Sequence, residues 1–400
     1  MNRIEATRVA ESLRRGLPPT GYVREFTAGR KQEIEELSAR LDAGTAGALL
    51  LRANYGAGKT HLLRFIGETA LAHNYVLSYL TVDSTGGVRF NRMDQILGAI
   101  CRGLQVPERP DERGVGPFLD GVCDALRKSG LAEGTQAGRL STCGAWSHNQ
   151  ELESIFMFVA VRAWFFSGEH PDKQDLVEDW LHHPDKYASS DRWLLDRSLV
   201  DHLAKRCFPK GEYTWCHWGN RDERTFAYNY PRCWEAVRDL QTLARIGGYR
   251  GLVILFDEVE DIIWNLGRID LQFKAFWNLV DFFNPGPGIA SYFAVTPQFS
   301  EKCLHLIHRR GYRLKDETLF EKLPAFEMSP LSRQDLDELS LKIVRTHEAA
   351  YGWDSSGDGV EAAIATVLNE SMAIPVQDRV RRAIKAVVSK LDECYDTATS

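Results

Sequence analysis

"LLLRANYGAGKTHLLRFI", residues 49–66, runs from an apolar strand through a glycine-rich turn into a helix. The turn follows the phosphate-binding pattern G-x-x-x-x-G-K-[ST] except at its first position, where Ala53 stands. Such a loop works through backbone amides that point at phosphate oxygens, with a helix N-terminus behind them. Gly56 and Gly58 can take backbone conformations closed to other residues and let the chain approach the phosphates. The expected cradle is therefore Asn54, Tyr55, Gly56, Ala57, Gly58, Lys59, Thr60 and His61. Lys59 would reach the β- and γ-phosphates and the Thr60 hydroxyl would ligate Mg²⁺. Alanine is the smallest replacement for the missing glycine. By itself, GKT also fits a plain strand–turn–helix junction.

The second stretch that bears on this choice is "GLVILFDEVED", residues 251–261. Five consecutive apolar residues, Leu252 to Phe256, read as a strand buried on both faces of a parallel sheet. Asp257 then falls at the carboxyl end of that strand, where ligands bind in open α/β sheets. There it can hold the water shell of Mg²⁺ as a Walker B aspartate does, and Glu258 is placed to polarise a water for attack on the γ-phosphate. Together the two stretches read as a P-loop ATPase site for ATP and Mg²⁺, despite Ala53.

The rest of the chain fits that class. Its 400 residues allow two or three domains, and 44% hydrophobic with 26% charged residues is a globular composition. The start "MNRIEATRVAESLRRG" is charged and has no apolar h-region, so a cytoplasmic protein is expected. The most apolar helix candidate, "SIFMFVAVRAWFF" (154–166), is too short for a bilayer and carries Arg162. A net charge of −6 excludes a generic polyanion binder, so any DNA contact needs a local basic patch. The eight cysteines contain no C-x-x-C pair and read as reduced thiols. A zinc site from Cys207, Cys216, His217 and Cys233 is conceivable, but its spacing matches no standard ligand pattern.

Along the chain, residues 1–45 form a helical leader, with helical periods at 3–16 and 26–42 and a turn at Gly29–Arg30. The ATPase core is expected at 46–104 and 231–330. It comprises strands at 47–52, 75–83, 251–256, 288–297 and within 323–332, and helices at 59–72, 93–104, 269–283 and from Phe299 onward. Thr296 falls at a strand end and is a candidate sensor of the γ-phosphate. Between the halves of the core lies a helix-like insert, 105–230. Trp146, Trp164, Trp180, Trp193, Trp215, Trp218 and Trp234, seven of ten tryptophans, fall in or beside it. They suit either a helical aromatic core or a binding surface. A helical lid, 331–400, closes the chain.

This succession resembles the additional-strand P-loop ATPases of the AAA+/origin-recognition/STAND type. The resemblance is carried by "GRKQEI" (29–34), the Asp-Glu pair, Thr296 and "FEMSPLS" (326–332) ahead of the lid. More narrowly it is similar to the ATP-binding proteins of BREX-type phage-defence systems (BrxD-like). Here the matching stretches are "ATRVAESLRRGLPP" (6–19), "NYGAGKTHLL" (54–63), "DWLHHP" (179–184) and "FDEVEDI" (256–262). The resemblance implies an α/β sheet with helices on both faces and a C-terminal lid. It also implies an ATPase subunit, a homo-oligomer or hetero-complex, working on DNA with a helicase or methyltransferase. A neighbouring subunit's arginine often completes such sites, and Arg309, Arg310 and Arg313 lie where this superfamily carries one. That cluster also suits a solvated helix end or a contact to phosphate backbone with Tyr312 stacking. In the lid, Arg379, Arg381 and Arg382 include no unambiguous counterpart of the second sensor arginine. Two other classes remain open: a STAND-like switch that holds ATP and binds a protein, and a helicase loader.

Overall fold

Residues 48–51 and 252–256 are apolar at every position, and the structure shows why. The computed structural model describes residues 1–82, 88–129, 134–143, 148–166, 171–187, 220–222, 227–229, 231–260, 269–283, 289–309, 322–357 and 359–399. The chain begins with α1 (Arg3–Arg14) and α2 (Lys31–Asp42), then β1 (Gly47–Arg52), α3 (Lys59–Ala72) and β2 (Val76–Thr81). Next come α4 (Met93–Arg102), β3 (Leu104–Gln105), α5 (Val115–Ser129), α6 (Gln136–Thr142), α7 (Ile155–Phe166) and α8 (Pro171–His182). A short hairpin of β4 (Asn220–Asp222) and β5 (Ala227–Asn229) precedes α9 (Pro231–Ile246), β6 (Leu252–Asp257) and α10 (Ile269–Phe283). Then β7 (Ala290–Val295), α11 (Phe299–Arg309) and β8 (Ala325–Glu327) lead to α12 (Arg333–Tyr351), α13 (Val360–Met372) and α14 (Val376–Thr399).

The main sheet has six strands in the order β3-β2-β6-β7-β1-β8. All neighbours pair in parallel except β3, which runs antiparallel to β2 at one edge. Because successive side chains of a strand point to opposite faces, each strand feeds two cores. Leu49, Leu51, Val253, Leu255, Tyr292 and Ala294 pack under α2 and α3. Leu50, Ile254, Phe256, Phe293 and Val295 face the other way, into a cluster shared with α4, α5, α7, α8, α9 and α10. Phe256 and Phe293 stack there with centroids 4.3 Å apart.

Helices of the segment read as an insert thus pack directly on the sheet. Phe118, Phe156, Trp164 and Trp180 belong to the same cluster as the strand residues. At the start of the apolar α7 the Ser154 hydroxyl accepts from the Met157 amide at 3.4 Å, and a buried carboxylate from α9 adds to it: Asp239 accepts hydrogen bonds from the amides of Glu153 and Ser154 at 2.9 and 2.7 Å. Burial pushes the Asp239 carboxyl up to about 7.

The helix expected at 93–104 stops at Arg102, since Gly103 ends it and Leu104 joins the sheet edge opposite Ser78. The expected strand in 323–332 is confined to Ala325–Glu327, followed by Ser332, whose side chain caps α12 in a reciprocal pair with Asp335. Trp146, Trp193, Trp215, Trp218, Cys207, Cys216 and His217 lie outside the described residues. No described helix is long and apolar enough to cross a membrane.

Leader and lid are one packing unit. Val9 and Leu13 of α1 share a core with Leu336, Leu339 and Ile343 of α12, Leu368 of α13 and Val387 and Leu391 of α14. At its rim, Arg14 pairs with Asp392 at 2.7 Å. Asp392 also accepts from the buried His347 at 3.0 Å, while the Trp353 indole donates to His347 Nδ1 at 2.9 Å. That arrangement places the imidazole proton on Nε2 and requires the ring to be neutral. Burial lowers the His347 pKa below 6.5, against the opposing pull of Asp392. As pH falls past 6.5 the unfolded chain therefore binds the proton first, and the contribution of His347, present above that value, is lost. The melting temperature should fall as the pH drops below 6.5. In His347→Gln, which keeps one donor and one acceptor, this part of the slope should flatten; an unchanged slope by calorimetry would rule the account out.

Candidate functional site

The glycine-rich loop leaves β1 at its carboxyl end. Ala53 extends the ladder, its amide donating to the Val295 carbonyl at 3.1 Å. Among the described residues the only non-glycine positions with positive φ are Asn74 and Glu258, so position 53 needs no special backbone and alanine serves there. The demanding positions are Gly56 and Gly58, at φ 72° and 94°. Gly58 immediately precedes α3, whose first amides have no carbonyl a turn earlier to bond. A loop of this shape offers backbone donors to an anion.

Lys59 Nζ lies over the loop, donating to the Ala53 carbonyl at 2.9 Å and sitting 4.8 Å from the centre of the Tyr55 ring. Burial lowers its pKa, while Glu260 and Asp257 hold it up. Thr60 Oγ1 donates to Asp257 Oδ2 at 2.9 Å. The same carboxylate oxygen accepts from the Tyr79 hydroxyl on β2 at 2.7 Å, and Oδ1 accepts from the Glu258 amide at 3.0 Å. Asp257 is 5% exposed, so these bonds hold it rigidly at the strand end. Glu258 follows with φ 57°, a left-handed conformation that strains a residue with a side chain, and is itself exposed. Thr296 is buried next to Glu260; its hydroxyl and amide lie near enough to the Glu260 carboxylate to favour its charged form, though neither Thr296 Oγ1 nor Glu260 Oε1 makes a hydrogen bond of good geometry.

One carboxylate and one hydroxyl 2.9 Å apart form a sparse oxygen set. It suits Mg²⁺, which keeps waters and phosphate oxygens as its other ligands. Among the described residues, no three or more His, Cys, Asp or Glu side chains are grouped to hold a metal ion.

A second shell of contacts ties the loop to leader and lid. The buried Arg30 donates to the carbonyls of Ala57 and Ser329 at 2.7 and 2.5 Å and pairs with Glu33 at 3.0 Å. Thr27 donates its hydroxyl to the Val23 carbonyl, so its oxygen accepts from His61 Nε2, 2.9 Å away. Burial first, then Arg30, Arg64 and Lys342, push the His61 pKa down to about 4, which keeps the ring neutral. Lys342 of α12 donates to the Thr27 carbonyl at 2.8 Å. On the other side, the start of α14 touches the loop directly: a Cβ built on Gly56 would lie 1.3 Å from the Gln377 carbonyl oxygen. Arg379, two residues further on, donates to the Ile374 carbonyl at 3.3 Å, and Arg382 lies 4.0 Å from Asp378.

The fold thus gathers Lys59, Thr60, Asp257, Glu258 and Thr296, taken from three separate strand ends. Arg309 is the last residue of α11; its side chain, with Arg310, Arg313 and Tyr312, lies outside the described residues. Three contributors were not singled out from sequence as site residues: Tyr79, Glu260 and Arg30. Glu260 was visible only as the last acid of D-E-V-E. Tyr79 looked like any strand aromatic, and Arg30 like a turn residue.

The site belongs to an α/β protein with a glycine-rich loop at the carboxyl edge of a mostly parallel sheet. Residues 1–156 match the family model described as BREX system ATP-binding protein BrxC/D. The BrxD-like resemblance is borne out over that stretch, which includes the leader, the loop and α3 but ends before β6. No curated protein and no solved structure matches the chain.

Gly56→Ala should be costly. Its φ alone imposes about 1–2 kcal/mol on a residue with a Cβ, and the added methyl collides with the Gln377 backbone. The lid should loosen, seen as a lower melting temperature and faster proteolysis within 376–399. A variant as stable and protease-resistant as wild type would show that this contact does not hold the lid.

Proposed function

We propose that this chain is an ATP-binding and ATP-hydrolysing subunit of a BREX-type phage-defence system, built on an AAA+-like additional-strand P-loop core. The observation that carries this is the hydrogen bond between Thr60 and Asp257, with Lys59 alongside. Hydroxyl, carboxylate and lysine meet although the loop and the strand end are far apart in sequence. The strand order β8-β1-β7-β6-β2, with the loop after the strand between β7 and β8, is what such a core requires. The family description supplies ATP and the defence context.

In this reading the amides of residues 54–61 and Lys59 bind the phosphate chain. Thr60 and Asp257 would hold Mg²⁺, which when bound neutralises charge on the β- and γ-phosphate oxygens. Glu258 orients and polarises the attacking water; as the new P–O bond forms, the bond to the β–γ bridging oxygen breaks and ADP leaves. Thr296 contacts the γ-phosphate side. Arg309 or Arg310 of a neighbouring copy would stabilise the transition-state charge. The work done with this energy is on DNA, through helicase or modification-enzyme partners, in the cytoplasm.

One observation favours the STAND-like switch as the second reading. Gly56 touches the lid at Gln377, and Thr27 links His61 to Lys342, so occupancy of the loop and position of the lid are mechanically coupled. Multiple-turnover hydrolysis with and without DNA separates the two. Stimulation by DNA fits the motor, and slow DNA-indifferent turnover fits the switch.

Lys59→Ala should weaken ATP binding by at least a hundredfold, about 3 kcal/mol. Unchanged affinity by calorimetry would refute the phosphate-cradle assignment. Glu258→Gln should bind ATP normally and turn over at least a hundredfold more slowly. Turnover within about twofold of wild type would move the water-activating role to another residue.

A further inference from the structure

Glu260 is the acid that the nucleotide-site reading does not use, and its surroundings are unusual. Its Oε1 lies 4.0 Å from Lys59 Nζ, and the two side chains are only 9% and 11% exposed. The separation is too long for a hydrogen bond, so the pair is held by charge alone. Oε1 and the buried Thr296 Oγ1 beside it make no hydrogen bond of good geometry, while the Thr296 hydroxyl and amide and the Glu260 amide lie near enough to the carboxylate to favour its charged form. Buried polar atoms left unpaired are rare and call for a reason. Burial works on both members: it raises the Glu260 pKa against the pull of Lys59 and of the Glu260 and Thr296 donors, and lowers that of Lys59 against the pull of Glu260 and Asp257. The other charged group that acts on the pair is Asp257, at the end of β6.

We propose that Glu260 is the internal counter-ion of Lys59, which β- and γ-phosphates must displace, so that this one carboxylate sets how sharply the site discriminates by phosphate-chain length. The proposal rests on the phosphate-cradle reading of Lys59. With no phosphate present, Glu260 and the Ala53 carbonyl hold the lysine head over the loop. A β-phosphate competes for the same ammonium and also meets the negative charge of Glu260. A nucleoside monophosphate does not reach Lys59 and is indifferent to the exchange. Glu260 is therefore a positioning residue that acts through Lys59.

The test is calorimetric binding of AMP, ADP and ATP, with Mg²⁺ at constant ionic strength, to wild type, Glu260→Gln, Glu260→Asp and Lys59→Ala. Glu260→Gln should tighten ADP and ATP by about tenfold, which is about 1.4 kcal/mol, and leave AMP unchanged. Glu260→Asp, which keeps the charge, should stay nearer wild type. A parallel melting series gives a second readout. Free Glu260→Gln should melt below free wild type, because a buried ammonium has lost its partner. Saturating ADP should then raise its melting temperature more than it raises that of wild type. Equal ADP-induced shifts, ADP and ATP affinities within about twofold of wild type, or a common change for all three nucleotides would overturn the proposal. The Lys59→Ala arm separates the two failures. If that variant binds ADP and ATP like wild type, the cradle reading itself is wrong. If it loses them while Glu260→Gln changes nothing, only the role of Glu260 falls.

Discussion

The bond from Thr60 Oγ1 to Asp257 Oδ2 spans 197 residues of sequence, and the rest of the molecule is arranged so that it can form. A hydroxyl at the first turn of α3 and a carboxylate at the end of β6 meet only if β1 and β6 finish at the same level. The strand between them, β7, enforces that. It pairs in parallel with β1 from Gly47↔Ala290 to Arg52↔Val295 and with β6 from Val253↔Ala290 to Phe256↔Phe293. A shift of one residue in either ladder would turn every side chain to the wrong face. Both faces are buried, so such a slip would cost a whole core, and the position of Asp257 inherits that rigidity.

The two faces are covered differently. One carries α2, which leads into β1, and α3, which follows it. The other is covered by helices from a long excursion between β3 and β6, together with α4 and α10. Asp239 illustrates how the excursion is locked: it is a carboxylate on α9 that ends the orphan amides at the start of α7. Among the described residues of this region, Phe156, Trp164 and Trp180 are buried in the cluster that covers the sheet. The lid stands outside this arrangement. Among the described residues its helices share a core with α1 and reach the loop at Gln377 against Gly56 and from Lys342 through Thr27 to His61.

Much of the site was legible because its chemistry is local. The glycines, Lys59 and Thr60 are adjacent in sequence, and Asp257 and Glu258 end the most apolar run near them; helices at 59–72 and 269–283 and the strand at 47–52 emerge at the expected bounds. Strand ends shifted by one or two residues where pairing, invisible in one strand, decided them: Gly103 and Leu104 are the case in point. The strain at Glu258 could not be read at all, since φ 57° is a property of the turn after β6 and not of glutamate.

What the sequence by itself determined is the loop and the apolar periodicity, because both depend on residues a few positions apart: backbone freedom at two glycines, one lysine, one hydroxyl, and side chains alternating about buried strands. What only the tertiary structure decided is which distant groups share that space. Tyr79 against Asp257, Glu260 against Lys59, Arg30 against Ala57 and Gln377 against Gly56 are pairs brought together by sheet register and helix packing. Such pairs leave no local pattern, since each partner would be an ordinary residue in its own segment and takes its character from burial beside the other.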